Sequence, residues 1–231
     1  MKFLIQTQKG QIIHDFSFTL VESLKYQNWY MGTKDFQPIF TDNPCPERRP
    51  DVIPCGSVEF VTYYLETYHS QIKPRNVPIE LMTSEFAMRK VINGVAKDIE
   101  EPSFVKSNER IKSFAGIVNS KEDAPFGDLQ ISSLIDIDSE WRGFVYKNKL
   151  VGLQNYSGEF TMFPNVTTIE KMIEAFKPSA PIAYTLDVGI NSTGTFVIEV
   201  HDFFSCGLYG FCDHRIYPFM LSRWFHEFVK K

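Results

Sequence analysis

The chain has 231 residues, of which 43% are hydrophobic and 23% are charged. This composition is that of a globular protein and excludes a disordered chain, a collagen and a coiled coil, while the length allows one large domain or two small lobes. The formal net charge of −4 gives no general attraction to nucleic acid or to an anionic membrane.

No apolar segment reaches the ~20 residues that a membrane span needs. The N-terminal apolar run ends at Gln6, so it is also too short for a signal peptide. The four cysteines contain no CxxC motif, which argues against a disulfide scaffold and favours a reducing cytoplasm.

The first 80 residues are predicted to form a small lobe. Five prolines lie within 36–54, and because proline can neither continue a helix nor donate to a strand ladder, this segment is predicted to be a surface loop. Ser57 is a suitable N-cap for a helix whose aromatic residues follow at helical spacing. A second helix is predicted over 84–93. A boundary near residue 80 divides the chain into an N-terminal lobe, 1–80, and a larger domain, 81–231.

From residue 104 onward the hydrophobic pattern changes to a period of two. It predicts strands at 104–106, 140–146, 150–156, 182–190 and 195–201. A capping-box sequence at 167–170 opens a helix that stops before Pro178, and the residues 216–229 have one apolar helical face. The chain is therefore predicted to be α+β, with an antiparallel sheet in its second half.

The last two predicted strands carry the most informative pattern. Matching their apolar faces sets Val188 opposite Ile198, which requires a turn of three or five residues. In this register Asp187 lies directly opposite Glu199 on the other face, and His201 follows two residues later. Two carboxylates about 5 Å apart repel each other unless a cation or a proton lies between them. The pair therefore indicates either a divalent-cation site for a phosphate-bearing ligand or a solvated polar face.

Basic residues elsewhere favour the phosphate-bearing ligand. Lys106 closes one predicted strand, Lys112 follows in the next loop, and Arg142 shares a strand face with Glu140. Lysines as point charges and an arginine fork are the usual partners of a triphosphate. Taken singly, each of these residues would equally suit an ordinary surface position.

Five short motifs follow one another between about residues 81 and 215. They are Phe104-Val105-Lys106, Lys112-Ser113-Phe114-Ala115-Gly116, Ser139-Glu140-Trp141-Arg142 with Phe144-Val145, Leu186-Asp187-Val188-Gly189, and Ile198-Glu199-Val200-His201 followed by Gly207-Leu208-Tyr209-Gly210-Phe211. Their order and spacing resemble the ATP-grasp superfamily, and most closely its R2K clade, found in bacteria and phages. The resemblance implies an ATP-grasp fold with a mostly antiparallel sheet and a short N-terminal α/β lobe.

The resemblance also implies roles in binding ATP. Lys106 would contact the α- and β-phosphates, and Lys112 would close over the phosphates from a flexible loop. Ser132, Ser133 and Leu134 would belong to the hinge whose backbone reads the edge of the adenine.

Two residues would lie near the ribose and the reacting groups. Glu140 would contact the ribose or support a neighbouring ligand, and Arg142 would stabilise the transferring phosphoryl group or an acyl phosphate. Arg142 and Lys112 are thus the implied catalytic residues. The implied enzyme is an ATP- and Mg²⁺-dependent ligase that joins a small-molecule or peptide carboxylate to an amine, in the cytoplasm, or in the host cytoplasm if a phage encodes it. The alternative is a non-catalytic ATP-binding module with the same fold.

Asp187 and Glu199 would be the implied Mg²⁺ ligands. His201 stands where the family usually has asparagine, and a neutral imidazole suits a hard cation less well than an amide oxygen does. Asp202 is the other candidate for a third ligand, although it points to the opposite face of an unbroken strand. From spacing alone, a zinc site is an alternative, and it would use His201, Cys206, Cys212 and His214.

Overall fold

A computed structural model of the protein describes residues 1–49 and 51–230. Pro50, which belongs to the predicted loop 36–54, and Lys231, which ends the predicted second domain, lie outside the described residues. In chain order the helices are α1 (Asp15–Met31), α2 (Val58–Tyr68), α3 (Ser84–Ala87), α4 (Val166–Phe176) and α5 (Tyr217–Phe228). The strands are β1 (Lys2–Gln6), β2 (Gln37–Thr41), β3 (Val52–Cys55), β4 (Val91–Gly94), β5 (Ser103–Ser107), β6 (Ala115–Val118), β7 (Leu129–Ser133), β8 (Ser139–Tyr146), β9 (Lys149–Gly158), β10 (Ala183–Asn191) and β11 (Gly194–Asp202).

The described residues divide into two compact units that are not contiguous in sequence. The first unit takes the described residues of Met1–Ile72, Pro181–Ala183 and Phe203–Lys231, and the second takes Lys73–Ala180 and Tyr184–Asp202. The last segment of the chain is thus grouped with the first. The functional domains 1–80 and 81–231 stay a prediction, because compactness alone does not define a functional domain.

The first unit contains a three-stranded parallel sheet in the order β2-β1-β3. The strand β2 lies within 36–54 and β3 begins there, so the prediction of a loop is wrong at both ends of this segment. The sheet tolerates Pro38 and Pro54 because both lie on edge strands, where one side of the backbone has no ladder partner. Ser57 caps α2 as predicted, since its hydroxyl accepts a hydrogen bond from the backbone N–H of Phe60 at 3.2 Å.

The second unit contains two four-stranded sheets, in the orders β4-β7-β5-β6 and β11-β10-β8-β9. The pairs β4–β7, β5–β7, β5–β6, β8–β9 and β10–β11 are antiparallel. This arrangement confirms the mixed α and β fold with mostly antiparallel sheets. Among the described helices, none is both long enough and apolar enough to cross a membrane.

Two predicted helices of this unit differ from the structure. The helix predicted over 84–93 ends after Ala87, because Met88 adopts a left-handed conformation with φ of 53° and Val91–Gly94 pairs with β7 instead. The helix predicted at 167–170 starts slightly earlier. Its N-cap is Asn165, whose side chain accepts a hydrogen bond from the backbone N–H of Thr168 at 3.1 Å.

The core of the second unit lies on one face of the sheet that contains β10 and β11. Helix α4 buries Ile169, Met172, Ile173 and Phe176 in a cluster that also includes the β10 residue Val188. The amphipathic pattern of α4 thus covers the apolar face of the hairpin. The polar residues of the motifs lie on the opposite face of β10 and β11.

The β10–β11 hairpin reaches the predicted carboxylate pairing by an unpredicted route. Asn191 pairs with Gly194, so the turn has two residues rather than three or five. Val188 then lies opposite Val197 and not opposite Ile198, which corrects the predicted register.

A β-bulge in β11 restores the predicted pairing of Asp187 with Glu199. The register shifts between Asp187 and Val188, so that Ile198 is an extra residue in β11. Asp187 is therefore opposite Glu199, as predicted. A bulge of this kind re-aims the extra side chain, and Ile198 is turned away from the core that holds its neighbours.

Candidate functional site

A cavity of about 330 Å³ lies among residues from both sheets of the second unit. Its apolar lining residues include Phe104, Ile117, Leu134 and Ile198. About half of the lining residues are polar or charged, and they include Lys106, Ser132, Glu140, Tyr156 and Glu199. A cavity that combines apolar walls with convergent polar groups is typical of a small-molecule site.

Lys106 and Glu199 form an ion pair at one wall of the cavity. The Nζ of Lys106 donates to Oε2 of Glu199, and Nε2 of His201 lies 2.8 Å from Oε1 of the same carboxylate. Burial alone would raise the pKa of Glu199, but the contacts with His201 and Lys106 outweigh it and hold that pKa well below its usual range. The ladder between β10 and β11 therefore presents an ionised carboxylate to the cavity.

Arg142 and Asp187 form a second ion pair behind this wall. The guanidinium binds the carboxylate at two points, with Nε 2.8 Å from Oδ1 and Nη2 2.7 Å from Oδ2. The strands that carry them, β8 and β10, are hydrogen-bonded neighbours. Burial raises the pKa of Asp187, and the fork of Arg142 opposes that shift. A two-point contact of this kind fixes the plane of the arginine as well as its position.

Tyr156 connects this ion pair to the cavity. Its hydroxyl donates to Oε2 of Glu140 at 2.8 Å, and the Arg142 guanidinium lies 5.6 Å from the centre of its ring. Burial and the nearby Asp187 charge raise its pKa far above the usual value, so the phenol stays a hydrogen-bond donor. The geometry brings Glu140, Arg142 and Asp187 into one polar network.

Tyr156 was not predicted as a site residue, because its position depends on a second β-bulge. Glu140 pairs with Ser157 and Trp141 pairs with Asn155, which leaves Tyr156 as an extra residue in β9. Strict alternation along β9 therefore assigns Tyr156 to the wrong face. Only a structure reveals such an irregularity.

The predicted hinge also lies on the cavity. Ser132, Ser133 and Leu134 all line it, at the end of β7. The Ser132 hydroxyl donates to the carbonyl of Phe104 at 3.2 Å, and the backbone N–H of Ser133 donates to the carbonyl of Lys90 at 3.0 Å. The segment is thus held from both sides by neighbouring strands.

Lys112 lies apart from the other predicted residues. It is exposed, in the loop between β5 and β6, with a positive φ of 57°, and it does not line the cavity. The structure therefore brings together Lys106, Glu140 and Glu199 but leaves Lys112 in solvent.

The predicted metal ligands can be compared with the positions of these side chains in the structure. Within residues 1–49 and 51–230, no group of three or more His, Cys, Asp and Glu side chains lies close enough together to hold a metal ion. This holds for the zinc alternative and for the trio of Asp187, Glu199 and His201. Asp202 is engaged elsewhere, since Arg75 binds it at two points, at 2.8 and 3.0 Å.

The donor chemistry of the two opposed carboxylates nevertheless fits Mg²⁺. This ion takes one or two carboxylates and completes its coordination with water and phosphate oxygens. A carboxylate has about four lone-pair sites, so Asp187 retains acceptor capacity beyond its two bonds to Arg142. Glu199 faces the cavity directly, where a phosphate-bound cation would be.

Comparisons with known proteins identify the family and the fold. Residues 86–218, more than half of the chain, match the family model described as "ATP-grasp domain, R2K clade family 2". No curated protein sequence gives a significant match.

Solved structures of low sequence identity share the fold. The RimK domain protein ATP-grasp from Sphaerobacter thermophilus is 11% identical with a TM-score of 0.56, and 100% of both chains is covered. The D-alanine–D-alanine ligase from Bacillus anthracis is 10% identical with a TM-score of 0.58, over 99% of this chain and 98% of that one. The macrocyclase MdnC from Microcystis aeruginosa, bound with its precursor peptide MdnA, is 11% identical with a TM-score of 0.52, over 96% and 100%. Because this family model matches more than half of the chain, the chain belongs to the R2K clade of the ATP-grasp domain proteins.

Proposed function

We propose that the protein is an ATP- and Mg²⁺-dependent ligase that joins a carboxylate to an amine through an acyl phosphate. The observation that carries this proposal is one cavity that has the predicted hinge at one wall and the Lys106–Glu199 pair at another. Residues 81–231 would be the nucleotide- and Mg²⁺-binding domain, and 1–80 the smaller N-terminal lobe.

The reaction asks the protein mainly for positioning and charge stabilisation. Lys106 would neutralise the phosphates next to the base, and Lys112 would approach them from its exposed loop. Arg142 is already oriented by Asp187, so it would stabilise the transferring phosphoryl group without reorganisation. Asp187 and Glu199, with His201 beside them, would hold Mg²⁺, which neutralises phosphate charge when bound.

The base and sugar would occupy the less charged part of the cavity. The backbone of Ser132, Ser133 and Leu134 would read the adenine edge, between apolar walls that include Phe104 and Ile198. Glu140 would accept a hydrogen bond from the ribose while Tyr156 holds its other oxygen.

The proposed substrates are small-molecule or peptide carboxylates and amines. Relatives of the same fold support both classes, since one is a D-alanine–D-alanine ligase and another is a macrocyclase bound with a precursor peptide. General nucleic-acid or membrane partners are not proposed for a chain with a net charge of −4. A reducing cytoplasm, or that of a host if the source is a phage, is the proposed location.

The test is a screen for ADP release from ATP and Mg²⁺ across amino acids, small peptides and modified nucleotides. We expect at least one carboxylate–amine pair to stimulate release, and Glu199→Gln to abolish the Mg²⁺-dependent turnover while the fold is retained. Glu174→Gln is the matched control, because Glu174 is exposed and pairs with Lys177, the residue that caps the same helix. Unchanged turnover in Glu199→Gln would contradict the assignment of the metal ligands.

The alternative function is a non-catalytic ATP-binding module with the same fold. ATP binding by calorimetry without ADP release from any acceptor pair would favour this alternative. The presence of Lys106, Lys112, Arg142, Asp187 and Glu199 together supports the enzyme, because a module without turnover has no need for all of them.

A further inference from the structure

Asn76 links the two sheets of the second unit, and the proposed mechanism gives it no role. Its backbone carbonyl accepts a hydrogen bond from the N–H of Val200 on β11 at 2.7 Å. Its side-chain Nδ2 donates to the carbonyl of Ser107, the last residue of β5, at 2.9 Å. One residue is therefore bonded to a strand of each sheet.

The two strands are bonded directly beside the ion pair of the cavity. Ser107 follows Lys106 in the chain, and Val200 follows Glu199. Asn76 itself is 6% exposed and does not line the cavity. It therefore acts on Lys106 and Glu199 through the strands that carry them, and not through contact with a ligand.

The next residue, Val77, is bonded to the sheet that contains β5. Its N–H donates to Oε1 of Gln130 and its carbonyl accepts from Nε2 of Gln130, each at 2.9 Å. Gln130 lies on β7, directly opposite Lys106. These bonds satisfy both backbone groups of the buried Val77 and hold the connecting segment at the level of Lys106.

The conformation and chemistry of Asn76 suit this position. Its φ of 48° is left-handed, and asparagine is one of the few residues other than glycine that adopt this conformation readily. An amide nitrogen carries two N–H groups. The second acceptor of Nδ2 is Oδ1 of Asn108, at 2.8 Å, in the first residue of the loop that carries Lys112.

The Lys106–Glu199 ion pair cannot itself keep the two strands in place in a ligand complex, because phosphate and Mg²⁺ would take over the same two charged groups. The hydrogen bonds of Asn76 use neither group, so they persist when these side chains change partners. Binding groups must be held to within about 0.5 Å by supporting hydrogen bonds of this kind.

We infer that Asn76 is a positioning residue, which fixes β5 and β11 relative to each other so that Lys106 and Glu199 bind the phosphates and the Mg²⁺ of one ligand together. This inference rests on the proposed function, since it takes Lys106 to bind phosphate and Glu199 to bind Mg²⁺. Without the side chain of Asn76, each residue would still bind its own group, but the two would no longer be held at matching positions.

The inference is tested by calorimetric titration of ATP into the full-length protein, once with Mg²⁺ and once with EDTA. The ratio of the two affinities is the gain in ATP affinity that Mg²⁺ supplies. This gain reports the positions of β5 and β11, because only the Mg²⁺ complex of ATP engages both Lys106 and Glu199. Thermal melts of each variant measure its stability separately.

Asn76→Gly is the test variant. Glycine adopts a positive φ without strain, so the bond from Val200 is retained and only the side-chain donors are lost. We expect the gain from Mg²⁺ to fall by about tenfold, a typical coupling between two sites, while the ATP affinity in EDTA is unchanged. Asn108→Ala removes one acceptor and keeps the bond to Ser107, so it should retain most of the gain.

Two control variants should leave the gain from Mg²⁺ unchanged. Asn148→Gly is the matched control, because Asn148 also has a left-handed φ, of 58°, but is exposed in the turn between β8 and β9 and does not line the cavity. Ile173→Val is the control for stability. Ile173 is buried in the core on the other face of the sheet, and its loss of a methyl group lowers stability without removing a hydrogen bond of the site.

Three results would overturn the inference. Equal losses of ATP affinity with Mg²⁺ and with EDTA in Asn76→Gly would show a general effect on the cavity. A lower melting temperature with an unchanged gain would show a purely structural asparagine. A loss in Asn108→Ala equal to that in Asn76→Gly would assign the effect to the loop that carries Lys112. Failure of the unmutated protein to bind ATP, or binding without a gain from Mg²⁺, would instead contradict the proposed function.

Discussion

Arg142 binds both carboxylate oxygens of Asp187, and the two side chains are almost sealed from solvent, with 9% and 2% of their surfaces exposed. A pair in this position stabilises the fold only while both partners are present, because either charge alone would be buried without compensation. The geometry of the Arg142–Asp187 pair also positions groups of the candidate site. Asp187 holds the arginine against Tyr156, at the side of the network that reaches the cavity through Glu140.

Removing one partner of this pair should destabilise the protein strongly. Arg142→Met leaves the Asp187 carboxylate buried and unpaired, and we expect the free energy of unfolding to fall by about 3–5 kcal/mol. Urea unfolding followed by circular dichroism measures the change. Adding Asp187→Asn to Arg142→Met removes the stranded charge and should recover most of the loss. A double variant as unstable as the single one would show that packing, and not charge, dominates here.

Gly189 should not tolerate a side chain. A Cβ there would lie 2.5 and 2.6 Å from Cε2 and Cζ of Phe196, a fully buried ring. We expect Gly189→Ala to lower the free energy of unfolding by about 1–3 kcal/mol, as overpacking does. Phe196→Leu in the alanine background should restore part of it. Gly116→Ala is the control, since a Cβ there would meet Cζ of Phe114 at 3.8 Å, an ordinary van der Waals distance. Thermal melts that shift equally for both alanine variants would contradict the steric explanation.

The loop that carries Lys112 should be protected from trypsin by nucleotide. Arg110 and Lys112 are both exposed, so both are open to cleavage. If Lys112 closes over the phosphates, ATP with Mg²⁺ should slow cleavage in this loop, and tripolyphosphate should do so as well because it carries the same charged groups. Mass spectrometry of the fragments locates the cut. Equal cleavage rates with and without saturating ATP would rule out closure of Lys112.

The four cysteines should react at two distinct rates. Cys45 and Cys212 are exposed, whereas Cys55 and Cys206 are buried. Burial raises the pKa of the Cys55 thiol to about 12, and the reactive species is the thiolate. Alkylation with iodoacetamide at pH 8 should therefore modify two thiols quickly and the other two only after denaturation, as counted by intact-protein mass.

The same pKa shift sets a pH dependence of stability. Folding favours the neutral thiol of Cys55, so its contribution to stability is fully present below the unfolded pKa of about 8.5 and declines as the pH rises toward 12. Cys55→Ala should flatten the alkaline part of the stability curve. An unchanged alkaline slope would assign that slope to other groups.

The sequence allowed the strands of the site to be predicted because their side chains alternate regularly over most of their length. Lys106, Glu140 and Glu199 line the cavity, and Asp187 lies opposite Glu199. That last prediction was correct although its reasoning was wrong about the turn and about the partner of Val188. The prediction relied on the turn to set Asp187 opposite Glu199. In the structure the two-residue turn does not set this register, and the bulge at Ile198 does.

The residues that escaped prediction lie where the backbone departs from regular structure. Tyr156 faces the cavity because it is an extra residue in β9. Arg89 reaches it because Met88 ends α3 in a left-handed conformation, whereas helical propensity favoured a continuous helix to residue 93. Neither bulges nor single left-handed residues other than glycine have a strong sequence signature. The edge strands β2 and β3 were missed for a different reason, since their prolines are allowed at edges only.

Because of the bulge at Ile198, the pairing of Glu199 with Asp187 does not depend on which side chain lines the cavity beside it. In an unbroken strand the two would depend on each other. Because Ile198 is the extra residue, removing it would leave a regular ladder in which Asp187 still meets Glu199 across a two-residue turn. The pairing within the hairpin thus sets the distance between the carboxylates. The inserted Ile198 side chain sets the shape of the cavity wall beside them. A homologue could therefore gain or lose this insertion, and with it reshape the cavity, without separating the two acids.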